Sequence, residues 1–220
     1  MLTDEGALDE MAALGVRQLP LVTKGGRWVN GQSLKAVADL CGIQLGEVRH
    51  LPPAEFVRRI DLVIEAAQRF FGQFPVDRLD EQTPGRPRSY AQLTYHLFNV
   101  VDAFLEHERG IALVEGSYKR YPAPGMMTRP EIVTYGSDVR RRFADWWEGA
   151  KEGTDWTAKA NVYYGDVSRL EFLERTTWHS GQHSRQLVWL LKEKFSIDAD
   201  RPLDPEMWVG LPMPEQIWDG

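Results

Sequence analysis

The chain has 220 residues, 43% hydrophobic and 26% charged, with a net charge of −6 and a pI near 5.4. That balance suits a globular protein large enough to bury a core, and the acidic charge argues against a general binder of nucleic acid or anionic membranes. No run of about 18 apolar residues occurs, no basic segment precedes an apolar one, and the single Cys41 excludes an intrachain disulfide, so the cytoplasm is the expected location.

From the N-terminus, Ala7 to Gly15 reads as a short helix ending at a glycine. Gln18 to Gly31 follows as two short apolar runs around Gly25-Gly26, a hairpin signal. Ser33 is placed to cap an amphipathic helix carrying Leu34, Val37, Ala38 and Leu40, stopped by Gly42. Helix, hairpin and helix amount to fewer than about 50 residues, too few to hold a core alone. The segment is expected to lean on the rest of the protein or on a second chain. Gly46 to Pro53 is the expected linker.

Four longer helices follow. The first opens at Pro52-Pro53, puts Phe56, Ile60, Val63, Ile64, Ala67 and Phe71 on one side, and is expected to stop at Gly72. A loop rich in proline and charge, Pro75 to Arg88, leads to Ser89-Tyr-Ala-Gln92, a capping box. The second helix then runs to Gly110 with Leu93, His96, Leu97, Val100 and Phe104 inward. Thr128-Arg-Pro-Glu131 opens the third, with Ile132, Tyr135, Val139, Phe143 and Trp146 as a core stripe. Ser168-Arg-Leu-Glu171 opens the fourth, expected to reach about Lys194 with Phe172, Thr176, His179, His183, Leu187 and Leu190 inward. Beyond Ser196, four prolines interrupt any helical period, while Trp208 and Trp218 point to a tail that packs on the body. The expected domains are 1–45, 50–195 and 196–220.

The chemistry concentrates at Thr176 to Leu187. His179 and His183 stand four apart, so both imidazoles leave one face of a helix one turn apart. An isolated pair of this kind is more often a solvated or core feature. Here a third histidine, His96, lies on the apolar stripe of another helix, and three buried neutral imidazoles are costly unless their lone pairs are taken up. A metal ion does that, so His96, His179 and His183 are the candidate ligands. His107 is eleven residues beyond His96, about 16 Å along a helix, and is excluded with His50. Ser180 and Gly181 leave room beside the pair for a close neighbour or for an approach to the metal. Asp102, Glu106, Glu171 and Glu174 read as ordinary helix charges, and Tyr163 and Tyr164 as loop aromatics that could border a pocket.

Two resemblances add to this. The Leu19-Pro20 step, the strand after it, Gly25-Gly26, the second strand and the closing helix resemble the C-terminal half of a glutaredoxin or thioredoxin-like domain. That resemblance implies a cis peptide bond at Pro20. The half that would carry a Cys-x-x-Cys is missing and Cys41 lies elsewhere, so no redox centre is expected. Residues 50–195, with a histidine on the second helix and a pair four apart on the last, resemble the DinB-like (DinB/YfiT) superfamily of up-down four-helix bundles. The resemblance implies a divalent metal on His96, His179 and His183, with Gln186 at a position where that family often has glutamine. The fold class expected is therefore mainly α, a four-helix bundle with a small N-terminal ββα appendage.

Three neutral nitrogens leave a divalent ion with an open coordination position, as catalytic sites have. The DinB-like resemblance implies thiol-dependent S-transfer, with a low-molecular-weight thiol and an electrophilic substrate as partners. Metal-dependent hydrolysis and a non-catalytic metal-binding interaction module are the alternatives. Zinc or nickel is the expected ion, although three imidazoles also accept iron or copper. The bare edges of the small sheet suggest a homodimer.

Overall fold

A computed structural model describes residues 5–16, 20–44, 50–123, 125 and 127–218. The described chain is mainly helical, with one small two-stranded sheet near the N-terminus. It divides into two compact units, one comprising 1–49 and 162–167 and the other 50–161 and 168–220.

The first unit contains α1 (Glu5–Ala13), β1 (Leu21–Lys24), β2 (Arg27–Asn30) and α2 (Leu34–Cys41). The strands are antiparallel, with Leu21 opposite Asn30 and Lys24 opposite Arg27. The two residues between them, Gly25 and Gly26, both have positive φ (58° and 73°), the backbone that a tight hairpin turn with the right twist demands. Ser33 accepts the Ala36 N–H and caps α2, and Gly42 ends that helix at φ 73°. Val16, Ala38 and Leu40 form a minimal core. From the segment 162–167, the Tyr163 hydroxyl donates to Gln32 Oε1 at 3.3 Å, and Tyr163 meets Tyr164 edge to face. The peptide bond between Leu19 and Pro20 and the first half of the expected linker, 46–49, lie outside the described residues.

The second unit holds α3 (Pro53–Gln73), α4 (Tyr90–Glu108), α5 (Arg129–Ala150) and α6 (Arg169–Phe195). Ser89 and Ser168 each accept the N–H three residues on, while Gln92 and Glu171 return the bond to the cap's own N–H. At α5 the Thr128 N–H and hydroxyl both donate to Glu131. These caps satisfy amides that would otherwise be orphaned at the first turn. α3 does not stop at Gly72. Nothing opposes that glycine within 4 Å, and the helix continues to Gln73, with Phe74 as its C-cap. One glycine costs about 1 kcal/mol of helix propensity, less than the burial of Phe70, Phe71 and Phe74 around it returns.

α3 and α4 each pack against both α5 and α6. Their shared core is rich in phenylalanine: Phe56, Phe70, Phe71, Phe98, Phe104, Phe143 and Phe172 are all buried. Gly136 of α5 faces the Phe98 ring so closely that a Cβ there would lie 2.7 Å from it, so the glycine sets the α4–α5 approach. Arg140 of α5 forks onto Asp61 and reaches Glu65 of α3, and Arg142 joins Asp102 of α4 to Asp138.

The C-terminal segment beyond α6 follows the unit's surface. It contains a short 3-10 turn, Pro205–Trp208, where no regular structure is expected from its prolines; Pro205 stands at the first position of that turn, where its missing N–H costs nothing. Buried Arg59 of α3 donates to the carbonyls of Met207 and Val209, both at 2.8 Å. Arg185 of α6 donates to the Pro214 carbonyl at 2.8 Å, and Trp218 lies edge to face with Trp189.

Candidate metal centre

His96 comes from α4, and His179 and His183 from α6. One atom from each ring can be chosen so that all three lie within 4.8 Å of one another. Ring centroids are 5.4 Å apart for His96 and His179, 4.8 Å for His96 and His183, and 5.0 Å for His179 and His183. Ser180 makes the approach possible. Fully buried, it donates its hydroxyl to the Leu97 carbonyl across the α4–α6 contact at 3.4 Å. A side chain without bulk there lets the two backbones draw near at the level of the histidines. Tyr118 closes one flank, its ring edge-on to His179 at 5.2 Å.

Each ring carries a buried nitrogen with no hydrogen-bond partner: Nδ1 of His96, Nδ1 of His179 and Nε2 of His183. Leaving one such group unsatisfied costs about 1–3 kcal/mol, and three buried histidines that offer one ligand atom each within 4.8 Å of one another fit a bound cation. A tetrahedral ion at about 2.0–2.1 Å from each nitrogen would hold them about 3.4 Å apart. His183 has its other nitrogen fixed: Nδ1 donates to Gln186 Oε1 at 2.7 Å, which leaves Nε2 as the lone-pair end.

The protonation state agrees. Burial pushes His96 and His179 well below the ordinary histidine range, and His183 to about 3. After burial, the charge of neighbouring histidines and of Arg88 adds to the shift at His96, and Arg88 is the next cause at His183. At neutral pH all three are uncharged, the form that binds a metal.

The carboxylates near the ligands in sequence are engaged elsewhere. Asp102 pairs with Arg142 and accepts the Tyr135 hydroxyl, and Glu106 pairs with Arg120. Glu171 belongs to the α6 capping box, and Glu174 lies 3.1 Å from His50 Nδ1. His107 is outside the cluster, with Nε2 accepting the Asn161 N–H and Nδ1 near Glu108. The space beside Gly181 is not an open approach. Trp208 fills it, and a Cβ on Gly181 would lie 2.6 Å from the indole.

Sequence reasoning does not reach Tyr118, Arg88 or the contacts of the C-terminal segment. None has a periodic or motif signature, since they sit on loops and many of the tail contacts use backbone carbonyls.

The fold and the site together define a helical protein with a three-histidine centre able to hold a metal ion. The family model of the DinB superfamily matches residues 59–187, more than half of the sequence and inclusive of all three histidines, and the chain belongs to that superfamily. No curated protein matches the chain. No helix is long and apolar enough to cross a membrane, among the described residues.

Proposed function

We propose that His96, His179 and His183 hold one divalent ion, zinc or nickel, and that the protein is a metal-dependent transferase joining a low-molecular-weight thiol to a small electrophile. The observation that carries this is the set of three partnerless buried nitrogens on neutral rings. Among the described residues no carboxylate hydrogen-bonds to any of the rings, so neutral donors would leave a dication's charge undiminished. A divalent ion held in that way supplies an open coordination position and lowers the pKa of a thiol or water placed there. The chain's own residues supply the rest. Burial keeps the rings neutral, Gln186 orients His183, and Arg88 adds positive charge that favours an anionic sulfur over a neutral ligand.

The helices α3 to α6 are read as an up-down four-helix bundle, the arrangement expected of the superfamily. The ββα order of the first unit resembles half of a glutaredoxin or thioredoxin-like domain and is a second, weaker pointer to thiols; the family match begins only at residue 59. The described sheet has two strands and therefore two unpaired edges, which a second copy of the chain would cover. A homodimer by light scattering is the expected result, and a monomer would remove that part of the proposal. A cytoplasmic location fits the single cysteine, which is free.

The test is metal-loaded protein assayed against a panel of electrophiles, with and without small thiols. Turnover that requires a thiol supports transfer. Turnover with water alone supports metal-dependent hydrolysis, and its absence throughout supports a metal-binding interaction module.

A further inference from the structure

We propose that the C-terminal tail completes the three-histidine site: the Ile217 carbonyl fixes the amide of Gln186, which fixes His183 in the tautomer that presents Nε2 to a metal ion. This rests on the metal reading of the site.

A carbonyl oxygen only accepts hydrogen bonds. Ile217 O accepts from Gln186 Nε2 at 2.9 Å and from Gln182 Nε2 at 2.8 Å. The Gln186 amide is therefore turned with its NH2 toward the tail and its oxygen toward His183, 2.7 Å from Nδ1. An amide oxygen also only accepts, so Nδ1 carries the proton and Nε2 keeps its lone pair. Nε2 is the atom left buried without a partner. Among the described residues the Gln186 amide bonds only to His183 and to Ile217 O, so with the tail gone no second partner holds that orientation. The turned-over amide would point its NH2 at Nδ1 and favour the proton on Nε2, a tautomer that offers the metal no lone pair.

The tail is positioned for this independently of Gln186. Gln182, Arg185, Gln186 and Trp189 fall three and four apart and form one strip of α6. Arg185 Nη1 holds the Pro214 carbonyl at 2.8 Å and Gln182 Oε1 at 2.9 Å, which fixes the Gln182 amide as well. Gln182 Nε2 also reaches the Gln216 carbonyl at 3.0 Å, and Trp189 meets Trp218 at 5.6 Å. One residue before Gln182, Trp208 occupies the space left by Gly181. His183 and Gln186 thus join a tail-gripping strip to the histidine face of the same helix. If the tail favours metal binding, metal binding must favour the docked tail by the same factor.

The experiment measures zinc affinity by competition with a chromophoric chelator, in the full chain and its variants. Removing residues 215–220 should weaken zinc binding about tenfold, as loss of an outer hydrogen bond to a ligand does. Gln186→Met should weaken it about as much in the full chain, and truncation should then add nothing. Gln186→Glu should restore an acceptor for Nδ1 that needs no tail, so truncation in that background should change affinity less than about twofold. Zinc should also slow proteolysis of the tail in the native sequence but not in Gln186→Met. Truncation that leaves zinc affinity unchanged overturns the inference, whatever Gln186→Met does. If the truncated chain does not fold, the proteolysis comparison decides: zinc that protects the tail of the native chain no better than that of Gln186→Met overturns the inference. A native chain that takes up no zinc and no other divalent ion overturns the metal reading itself, and this inference with it.

Discussion

Ser180 on α6 donates its hydroxyl to the Leu97 carbonyl on α4 at 3.4 Å, one residue from His179 on one side and from His96 on the other. The contact ties the helix spacing to the spacing of the ligands. Ser180→Leu would force about two extra heavy atoms into a fully buried gap, an overpacking that costs about 1–3 kcal/mol. We expect a lower thermal midpoint together with a loss of metal stoichiometry. Ser180→Ala, which keeps the small volume and loses only a long hydrogen bond, should retain the metal. Equal metal content in Ser180→Leu and the native protein would show that the helix spacing does not govern the site.

A second expectation concerns pH and the metal-stripped protein. The folded-state pKa of His183 is lowered to about 3, chiefly by burial, and those of His96 and His179 are lowered in the same direction. In the unfolded chain a histidine titrates near 6.5. Below that pH the unfolded state binds more protons, so the stability contributed by the neutral rings is fully present above about 6.5 and is lost as pH falls toward 3. Urea midpoints of metal-free protein should therefore drop from pH 7 to pH 5, and His183→Phe should flatten the profile. A native profile already flat over that range would mean that the rings are not buried as neutral groups.

Arg88 provides a third. Its charge acts on all three histidines, with Arg86 acting in the same sense. A positive charge that acts on the three rings should also favour a thiolate bound beside them, so Arg88→Gln should raise the pH midpoint of thiol binding to cobalt-loaded protein by about half a unit or more. Metal affinity should rise or stay level, since removing a cation relieves repulsion of the ion. A drop in metal affinity with an unmoved midpoint would assign Arg88 a structural role instead.

Much of the framework is legible in the sequence because it is written in local chemistry. The capping boxes at Ser89, Thr128 and Ser168 mark where α4, α5 and α6 begin, and Gly25-Gly26 marks the hairpin. His96, His179 and His183 stand out because a 3.6-residue period puts polar rings on otherwise apolar faces. Gly72 misleads, since helix propensity is a small term beside the burial of the phenylalanines that flank it. Gly181 is legible as room for a close neighbour, but not for which one. Its missing side chain does make room, but the occupant is Trp208, 27 residues away in a segment with no period. The bonds from Gln182 and Gln186 to Ile217 O are equally hidden, because a backbone carbonyl is present whatever the residue.

On the proposed function, three histidines from two helices form one metal centre with a position open to sulfur. X-ray absorption on zinc-loaded protein tests it most directly. The expected first shell has three imidazole nitrogens at about 2.0–2.1 Å, and addition of a small thiol should bring in one sulfur at about 2.3 Å. His96→Ala, His179→Ala and His183→Ala should each lose most of the metal, while His50→Ala and His107→Ala keep it. A shell without imidazole scattering, or one that His96→Ala leaves unchanged, would contradict the centre; an imidazole shell that admits no thiol sulfur would contradict its proposed chemistry.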